Sequence, residues 1–115
     1  MVDRNTEQYV VVKGAVPRYL KLQFKVLCIQ RKLQMSSVLE DLIGKWIQAG
    51  GPFPEYLVNW SSSNQDNENV KGYIPESLKL QFKALCAQKR VTMCSVLYHL
   101  IDEWVRTGGS TSESP

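Results

Sequence analysis

The chain has 115 residues, of which 43% are hydrophobic, and its formal net charge is +3. A chain of this length builds one compact core, which excludes two large domains. No apolar run approaches the roughly 18 residues that a membrane helix needs, and no charged-then-apolar leader opens the chain. We therefore expect a cytoplasmic protein with no membrane partner.

Most of the positive charge lies in two segments of equal length. Residues 12–51 hold seven Lys and Arg against two Asp and Glu, and residues 70–109 hold six against three. The remaining residues hold one basic side chain against six acidic ones. This distribution favours a polyanionic partner for the two basic segments more strongly than the small net charge suggests.

The two segments also repeat each other. With a shift of 58, residues 12–51 are identical to residues 70–109 at 22 of 40 positions. A unit of this size is too small to close its own core, so we expect the two copies to pack together as a pseudo-symmetric pair. We expect the repeats to span residues 9–51 and 70–109 and to form one compact domain.

Each copy begins with a short β-rich segment, residues 10–16 and 69–74, which ends at Pro17 or Pro75. Proline has no N–H for a strand ladder but fits the first turn of a helix. Each strand is therefore predicted to lead directly into a helix.

Two amphipathic helices follow in each copy. The first has apolar residues at i, i+4, i+7 and i+8, namely Leu20, Phe24, Leu27 and Cys28, with Leu78, Phe82, Leu85 and Cys86 in the second copy. The second helix has an apolar face of seven residues from Met35 to Ile47, repeated from Met93 to Val105. Thr92 is a good N-cap for this helix, whereas Gln34 at the matching position is a poor one. Both copies end in Gly-Gly, which predicts a helix end.

Residues 52–69 are predicted to link the copies, and residues 110–115 to form a disordered tail. The linker is apolar and proline-punctuated at first, then polar from Ser61 to Glu68. Its aromatic stretch from Phe53 to Trp60 either covers an open end of the core or serves as a docking site for a protein partner.

The order of a short strand, a proline, an amphipathic helix, a tight turn and a second amphipathic helix resembles the ribbon–helix–helix proteins of the Arc, MetJ and CopG type. The resemblance covers both copies and implies a mainly α fold with a short two-stranded antiparallel β-ribbon. Members of that family normally dimerise, and their ribbon lies in the major groove of double-stranded DNA. Here both strands come from one chain, which implies a monomeric, nucleoid-associated pseudo-dimer whose units could assemble cooperatively on DNA.

Strand alternation allows two registers for such a ribbon. The register that points Lys13 and Lys71 towards the helices would bury ammonium groups at a cost of several kcal/mol, so we expect both lysines to face outward. The predicted base-contacting residues are Val11, Lys13, Ala15, Asn69, Lys71 and Tyr73. Lysine suits guanine, asparagine can pair with adenine, and valine or alanine can meet a thymine methyl group.

Phosphate contacts are predicted at the first turn of the second helix in each copy, where free N–H groups and the helix dipole attract an anion. The residues expected there are the hydroxyl-bearing Ser36, Ser37, Thr92 and Ser95 and the basic Arg31, Lys32, Lys89 and Arg90. The alternative is that the hydroxyls only cap the helices and the basic residues form a solvated turn. Phosphate contacts would make binding depend on salt without specifying sequence.

The sequence favours neither a catalytic nor a metal site. Cys28 and Cys86 hold equivalent helix positions and are expected to act as small core hydrophobes. Cys94 and His99 do not share a helix face well, and no C-x-x-C pair accompanies them. The chain has one histidine and lacks both a Gly-rich phosphate loop and a Ser/His/Asp set. We therefore expect no enzyme, no metal and no cofactor.

These expectations favour a sequence-specific DNA-binding regulator of the repressor, plasmid copy-control or partition type. The alternative from another class is a protein-interaction module, antitoxin-like or a scaffold, that uses the same fold without DNA specificity. A third interpretation, two paired helix–turn–helix units, predicts that the strands do not pair.

Overall fold

A computed structural model of the chain describes residues 7–54 and 66–109. Their elements, in chain order, are β1 (Tyr9–Pro17), α1 (Arg18–Gln30), α2 (Met35–Gln48), β2 (Asn67–Pro75), α3 (Glu76–Lys89) and α4 (Met93–Arg106). The fold is mainly helical, with one two-stranded antiparallel sheet, as the sequence predicts. None of the helices in these two ranges is long and apolar enough to cross a membrane.

The two strands pair along their whole length. Lys13 lies opposite Lys71 at the centre of the ladder, and Tyr9 and Pro17 lie opposite Pro75 and Asn67 at its ends. This pairing contradicts the interpretation as two helix–turn–helix units, which leaves the strands unpaired. Hydrogen bonds continue past both prolines, because the N–H groups of the first helical residues donate across the ribbon, from Arg18 to the Asp66 carbonyl at 2.7 Å and from Glu76 to the Gln8 carbonyl at 2.9 Å.

The second strand is longer than predicted. It begins at Asn67, within residues 52–69, which the sequence predicts to be the linker. Asn67 and Glu68 have low intrinsic β-propensity, but Pro17 and Val16 lie opposite them and the antiparallel ladder extends to include them. The predicted linker boundary at residue 69 is therefore wrong. The predicted tail, residues 110–115, lies outside the described residues.

The helices begin and end where the sequence signals predict. In each half, the first helix starts directly after the proline of the strand. The second helix is followed by two glycines with positive φ, 89° and 73° at Gly50 and Gly51 and 74° and 80° at Gly108 and Gly109. The Gly51 N–H donates to the Trp46 carbonyl at 2.9 Å, which satisfies a carbonyl that the end of the helix leaves open.

The halves exchange packing partners and share one core. β1 packs on α4 and β2 packs on α2, while α1 also packs on α4 and α3 on α2. Each strand therefore rests on a helix from the other half of the chain. Two edge-to-face aromatic pairs join the halves in the same way, Phe24 with Trp104 at 5.4 Å and Trp46 with Phe82 at 5.6 Å between ring centroids.

The beginning of the linker covers part of this core. Phe53 is half-buried against it, with its ring edge-to-face to His99 at 5.7 Å. The Trp46 indole N–H donates to the Pro52 carbonyl at 2.8 Å, which fixes the chain at this point. Phe53 thus covers the core, in agreement with the first of the two roles expected for the aromatic stretch. Residues 55–60 of that stretch lie outside the described residues.

Candidate nucleic-acid interface

The ribbon has one buried face and one open face. The six central residues that face the helices are buried, namely Val12, Gly14, Val16, Val70, Gly72 and Ile74, while Val10 and Glu68 at the ends of that face are half-buried. Of the predicted base-contacting residues, Lys13, Asn69, Lys71 and Tyr73 are exposed, and Val11 and Ala15 are half-buried. The register predicted from the two lysines is therefore confirmed.

On the open face these six residues form three cross-strand pairs: Val11 with Tyr73, Lys13 with Lys71, and Ala15 with Asn69. None of the six is acidic. Like charges directly opposite each other destabilise an antiparallel pair, and none of the other four residues carries a carboxylate to compensate the central lysines. The face therefore presents hydrogen-bond donors and positive charge at its centre, with apolar, aromatic and amide groups on either side.

Two glycines allow the helices to lie close to the ribbon. A Cβ atom added to Gly72 would lie 3.0 Å from the Ser36 Cα and 2.9 Å from its Oγ, and a Cβ on Gly14 would lie 3.2 Å from the Cys94 Cα. All three distances are shorter than ordinary van der Waals contact. Any larger side chain would push the first turn of α2 or α4 away from the ribbon.

The first turn of each of these helices is bonded to a strand. The Tyr73 N–H donates to Ser36 Oγ at 2.9 Å, and the Cys94 thiol donates to the Ala15 carbonyl at 3.1 Å. Ser36 and Cys94 hold equivalent positions in α2 and α4. One helix N-terminus therefore adjoins the Val11/Tyr73 end of the open face, and the other adjoins the Ala15/Asn69 end.

The two N-termini are capped differently. In α4, Thr92 Oγ1 accepts from the Ser95 N–H at 3.0 Å, and the Ser95 hydroxyl donates to the Thr92 carbonyl at 2.9 Å. Ser95 is only 1% exposed, so the prediction that it contacts phosphate is wrong: the cap uses its polar groups. In α2, Gln34 makes no side-chain cap, and Ser37, the equivalent of Ser95, is exposed.

Arg31 forms hydrogen bonds with the residues that follow α4. Its Nε and Nη2 donate to the Gly108 carbonyl at 2.9 and 2.6 Å, just beyond the C-terminus of α4, where a helix dipole favours a cation. These bonds hold two of the Arg31 donors at this helix end, and its predicted phosphate contact stays a prediction. Lys89, its equivalent, runs along the end of α2, since a Cβ on Gly51 would lie 3.3 Å from the Lys89 Cε.

The turns before α2 and α4 present the remaining predicted basic residues. Lys32 and Arg90 are exposed and have left-handed backbones, with φ of 59° and 60°. A residue with a Cβ adopts this region at some cost, and glycine or asparagine is commoner there. A lysine and an arginine nevertheless hold these two equivalent positions, each near the N-terminus of the helix that follows.

Two further residues extend or contact the ribbon and are not among the predicted site residues. Tyr9 is 57% exposed and continues the open face beyond Val11, where the same alternation could have found it. Lys79 of α3 donates from Nζ to the Val11 carbonyl at 2.9 Å, which ties the ribbon backbone to a helix. No local sequence signal announces that contact, because it depends on how α3 packs.

Comparisons of the chain with protein-family models, with curated proteins and with solved structures found no match. The features with functional potential are the open face of the ribbon, the two helix N-termini and the charges around them. Within residues 7–54 and 66–109, no three potential metal ligands come together.

Proposed function

We propose that the protein binds double-stranded DNA sequence-specifically by inserting the open face of its ribbon into the major groove, and that it acts as a transcriptional regulator of the repressor, copy-control or partition type. The observation that carries this proposal is the pair of Lys13 and Lys71 at the centre of the open face, none of whose six residues is acidic. A two-stranded ribbon fits the width of the major groove, where lysine can donate to guanine O6 and N7.

The helix ends support the same proposal. The N-termini of α2 and α4 adjoin opposite ends of the open face, so each could receive a backbone phosphate beside the groove that the ribbon occupies. Ser36, Ser37, Lys32 and Arg90 remain the side chains proposed for these contacts, with Lys89 nearby. They would position the ribbon and account for salt dependence, while the ribbon residues would read the bases. The Thr92 hydroxyl is used by the cap, since it donates to Ser95 Oγ at 2.9 Å.

We also propose that the molecule is a ribbon–helix–helix pair fused in one chain. The bounds of β1 and α2 recur at β2 and α4 with the same shift of 58 residues that aligns the repeated sequence. Lys13 and Lys71 are equivalent positions and lie opposite each other, as expected if an approximate two-fold axis passes between them. The order of strand and two helices in each half supports the family resemblance.

In this arrangement the two ends of the open face differ. Val11 and Tyr73 occupy one end, and their equivalents Asn69 and Ala15 occupy the other. An apolar and aromatic pair cannot read the same base edges as an amide and a methyl group. We therefore expect an imperfect palindrome, with two half-sites of different sequence.

Selection of binding sites from random DNA duplexes at a stated salt concentration tests both statements. We expect one enriched motif with unequal halves, and footprinting should show protection across both. Failure to enrich any motif would refute sequence-specific DNA binding. A perfect inverted repeat bound symmetrically would leave DNA binding intact but contradict the proposed difference between the ends.

Replacing the central lysines tests directly whether the open face contacts DNA. We expect Lys13→Ala and Lys71→Ala each to weaken binding to the selected site by about 1–3 kcal/mol, with no loss of thermal stability because both side chains are exposed. Lys83→Ala, at an exposed position on α3, removes the same charge away from the ribbon. Gel-shift titrations in which all three variants bind alike would contradict the assignment of this face.

A further inference from the structure

A row of large apolar side chains lies exposed along the outer face of α1. Tyr19, Leu22, Val26 and Ile29 are 60%, 60%, 43% and 66% exposed, and Leu33 continues the row just beyond the helix. None of them contributes to the core, which α1 contacts through its opposite face. Contiguous exposed apolar residues on a small protein mark an interaction site more often than isolated ones do.

The spacing of the row indicates what shape of partner it fits. Within α1 the intervals between its members are three, four and three residues, which is the a and d pattern of a heptad. On an exposed helix this pattern forms a straight seam that accepts the side chains of a second helix.

The borders of the seam indicate the charge of the partner. Arg18 and Lys25 lie on one side, and Gln23 and Gln30 lie on the other, while α1 itself contains no acidic residue. A helix that supplies carboxylates next to its own apolar row would complement the basic border.

A carboxylate from the same chain already occupies one end of this border. Glu68 of β2 contacts Arg18 Nε at 3.2 Å and Lys21 Nζ at 3.5 Å. These residues line a shallow hollow together with Leu22 and Lys25. An acidic side chain can therefore sit beside the apolar row without disturbing the helix.

The equivalent face of α3 lacks the seam, although the two helices share their inner face. Where α1 carries Tyr19, Val26 and Ile29, α3 carries Ser77, Ala84 and Ala87, and only Leu80 keeps a large apolar side chain. The inward residues are identical in the two helices: Leu20 and Leu78, Phe24 and Phe82, Leu27 and Leu85, and Cys28 and Cys86. The fold thus tolerates small residues on this outer face, and the large ones of α1 require another explanation.

We propose that the outer face of α1 binds an amphipathic helix of another protein, one whose apolar row is bordered by carboxylates. A second copy of this chain fits less well. Two antiparallel α1 seams would bring their basic borders together, and two parallel ones would set lysine against glutamine. This interaction is separate from DNA binding, since the seam and the open face of the ribbon share no residue.

A synthetic three-heptad peptide serves as the probe, with leucine and isoleucine at a and d and glutamate at e and g. Its fluorescence anisotropy is followed while the full-length protein is added. We expect saturable one-to-one binding, and at least tenfold weaker binding of a matched peptide with lysine at e and g.

The matched variant is Tyr19→Ser/Val26→Ala/Ile29→Ala, which gives α1 the residues that α3 carries. We expect it to bind the glutamate peptide at least tenfold more weakly and to retain its DNA binding. The reciprocal variant, Ser77→Tyr/Ala84→Val/Ala87→Ile, should gain a second site, weaker than the first because Glu76 stands where α1 has Arg18. Lys25→Glu is a single surface change that should weaken the glutamate peptide and favour the lysine peptide.

Several results would overturn the proposal. They are no saturable binding of the glutamate peptide, equal binding of both peptides, or equal binding by wild type and the triple variant. Self-association that depends on the row, measured by sedimentation without peptide, would instead assign the seam to a second copy. Binding to phosphatidylserine-containing vesicles that depends on the row, without peptide binding, would assign it to a membrane surface. Loss of DNA binding in the triple variant would contradict the separation of the two faces.

Discussion

Gly72 and Gly14 determine how closely the helices approach the ribbon. The Ser36 Cα lies within 3.0 Å of the position that a Cβ on Gly72 would occupy, and at Gly14 the nearest atoms are the Leu97 Cδ1 at 3.1 Å and the Cys94 Cα at 3.2 Å. The clash at Gly72 is the tighter of the two and involves a backbone atom. Backbone can only yield if the first turn of α2 moves, and that turn also bonds the strand through Ser36.

We expect Gly72→Ala to lower the free energy of unfolding by about 1–3 kcal/mol, the usual cost of overpacking, and Gly14→Ala to lower it less. Urea denaturation measures both changes. Gly44→Ala is the control: no neighbouring atom lies within 4 Å of the added Cβ, so alanine in the interior of α2 should stabilise by about 0.5–1 kcal/mol. A Gly72→Ala variant as stable as wild type would show that α2 can shift at no cost.

For individual residues, part of the candidate site can be predicted from the sequence. The outward position of Lys13 and Lys71 follows from alternation and the cost of burying charge. The hydrogen-bond partners of Arg31 and Ser95 do not follow from the sequence, because residue type alone allows several partners. Arg31 bonds Gly108, which lies 77 residues away in the chain. Ser95 hydrogen-bonds Thr92 in a helix cap, and its equivalent Ser37 makes no such cap.

At the scale of the elements, α2 and α4 provide a comparison of caps within one molecule. Both begin in the same way, yet only Thr92 bonds the first turn with its side chain. Gln34 has a backbone conformation close to that of Thr92, with φ and ψ of −90° and 141° against −91° and 152°. A threonine at position 34 could therefore accept from the Ser37 N–H as Thr92 accepts from Ser95.

We expect Gln34→Thr to stabilise the protein by about 1 kcal/mol, the typical worth of such a cap, and to raise the melting temperature by several degrees. Calorimetry or circular dichroism measures the change. Gln34→Ala lacks the accepting oxygen and should give no such gain. If both variants melt alike, the open N-terminus of α2 is not limited by its cap.

The elements themselves were the most predictable part of the fold. Strong periodicity predicts the four helices that the described residues form. Proline marks the starts of α1 and α3, and Gly-Gly follows the ends of α2 and α4. The start of β2 is not predictable in this way, because Asn67 and Glu68 carry no strand signal of their own. Their inclusion depends on β1, which lies 50 or more residues earlier in the chain, and local propensity contains no information about such a partner.

At the scale of the whole molecule, the exchange of packing partners makes the halves interdependent. The repeat predicts a shared core, but it does not predict that β1 rests on α4 and β2 on α2, because the apolar faces of α2 and α4 are nearly identical in sequence.

The reactivity of Cys28 and Cys86 can measure this interdependence, because the two residues lie at equivalent positions and both are buried. Burial raises the pKa of Cys28, and that of Cys86 to about 12, so both thiols stay protonated and unreactive at pH 8 while the chain is folded.

We expect dithionitrobenzoate at pH 8 to label Cys28 and Cys86 at one common rate, because only global unfolding exposes either thiol. Variants that keep one cysteine and replace the others with alanine distinguish the two sites. Low concentrations of urea should raise both rates in parallel. Two distinct rates would show that the halves open separately and would contradict a single cooperative core.

The pairing of β1 with β2 within one polypeptide also has a consequence for dosage. A homodimer falls apart on dilution, so the amount of its assembled form rises with the square of subunit concentration when protein is scarce. In this chain the complementary strand is always present at the high effective concentration that a covalent connection provides. The ribbon therefore forms in proportion to the number of molecules made, down to a single copy per cell.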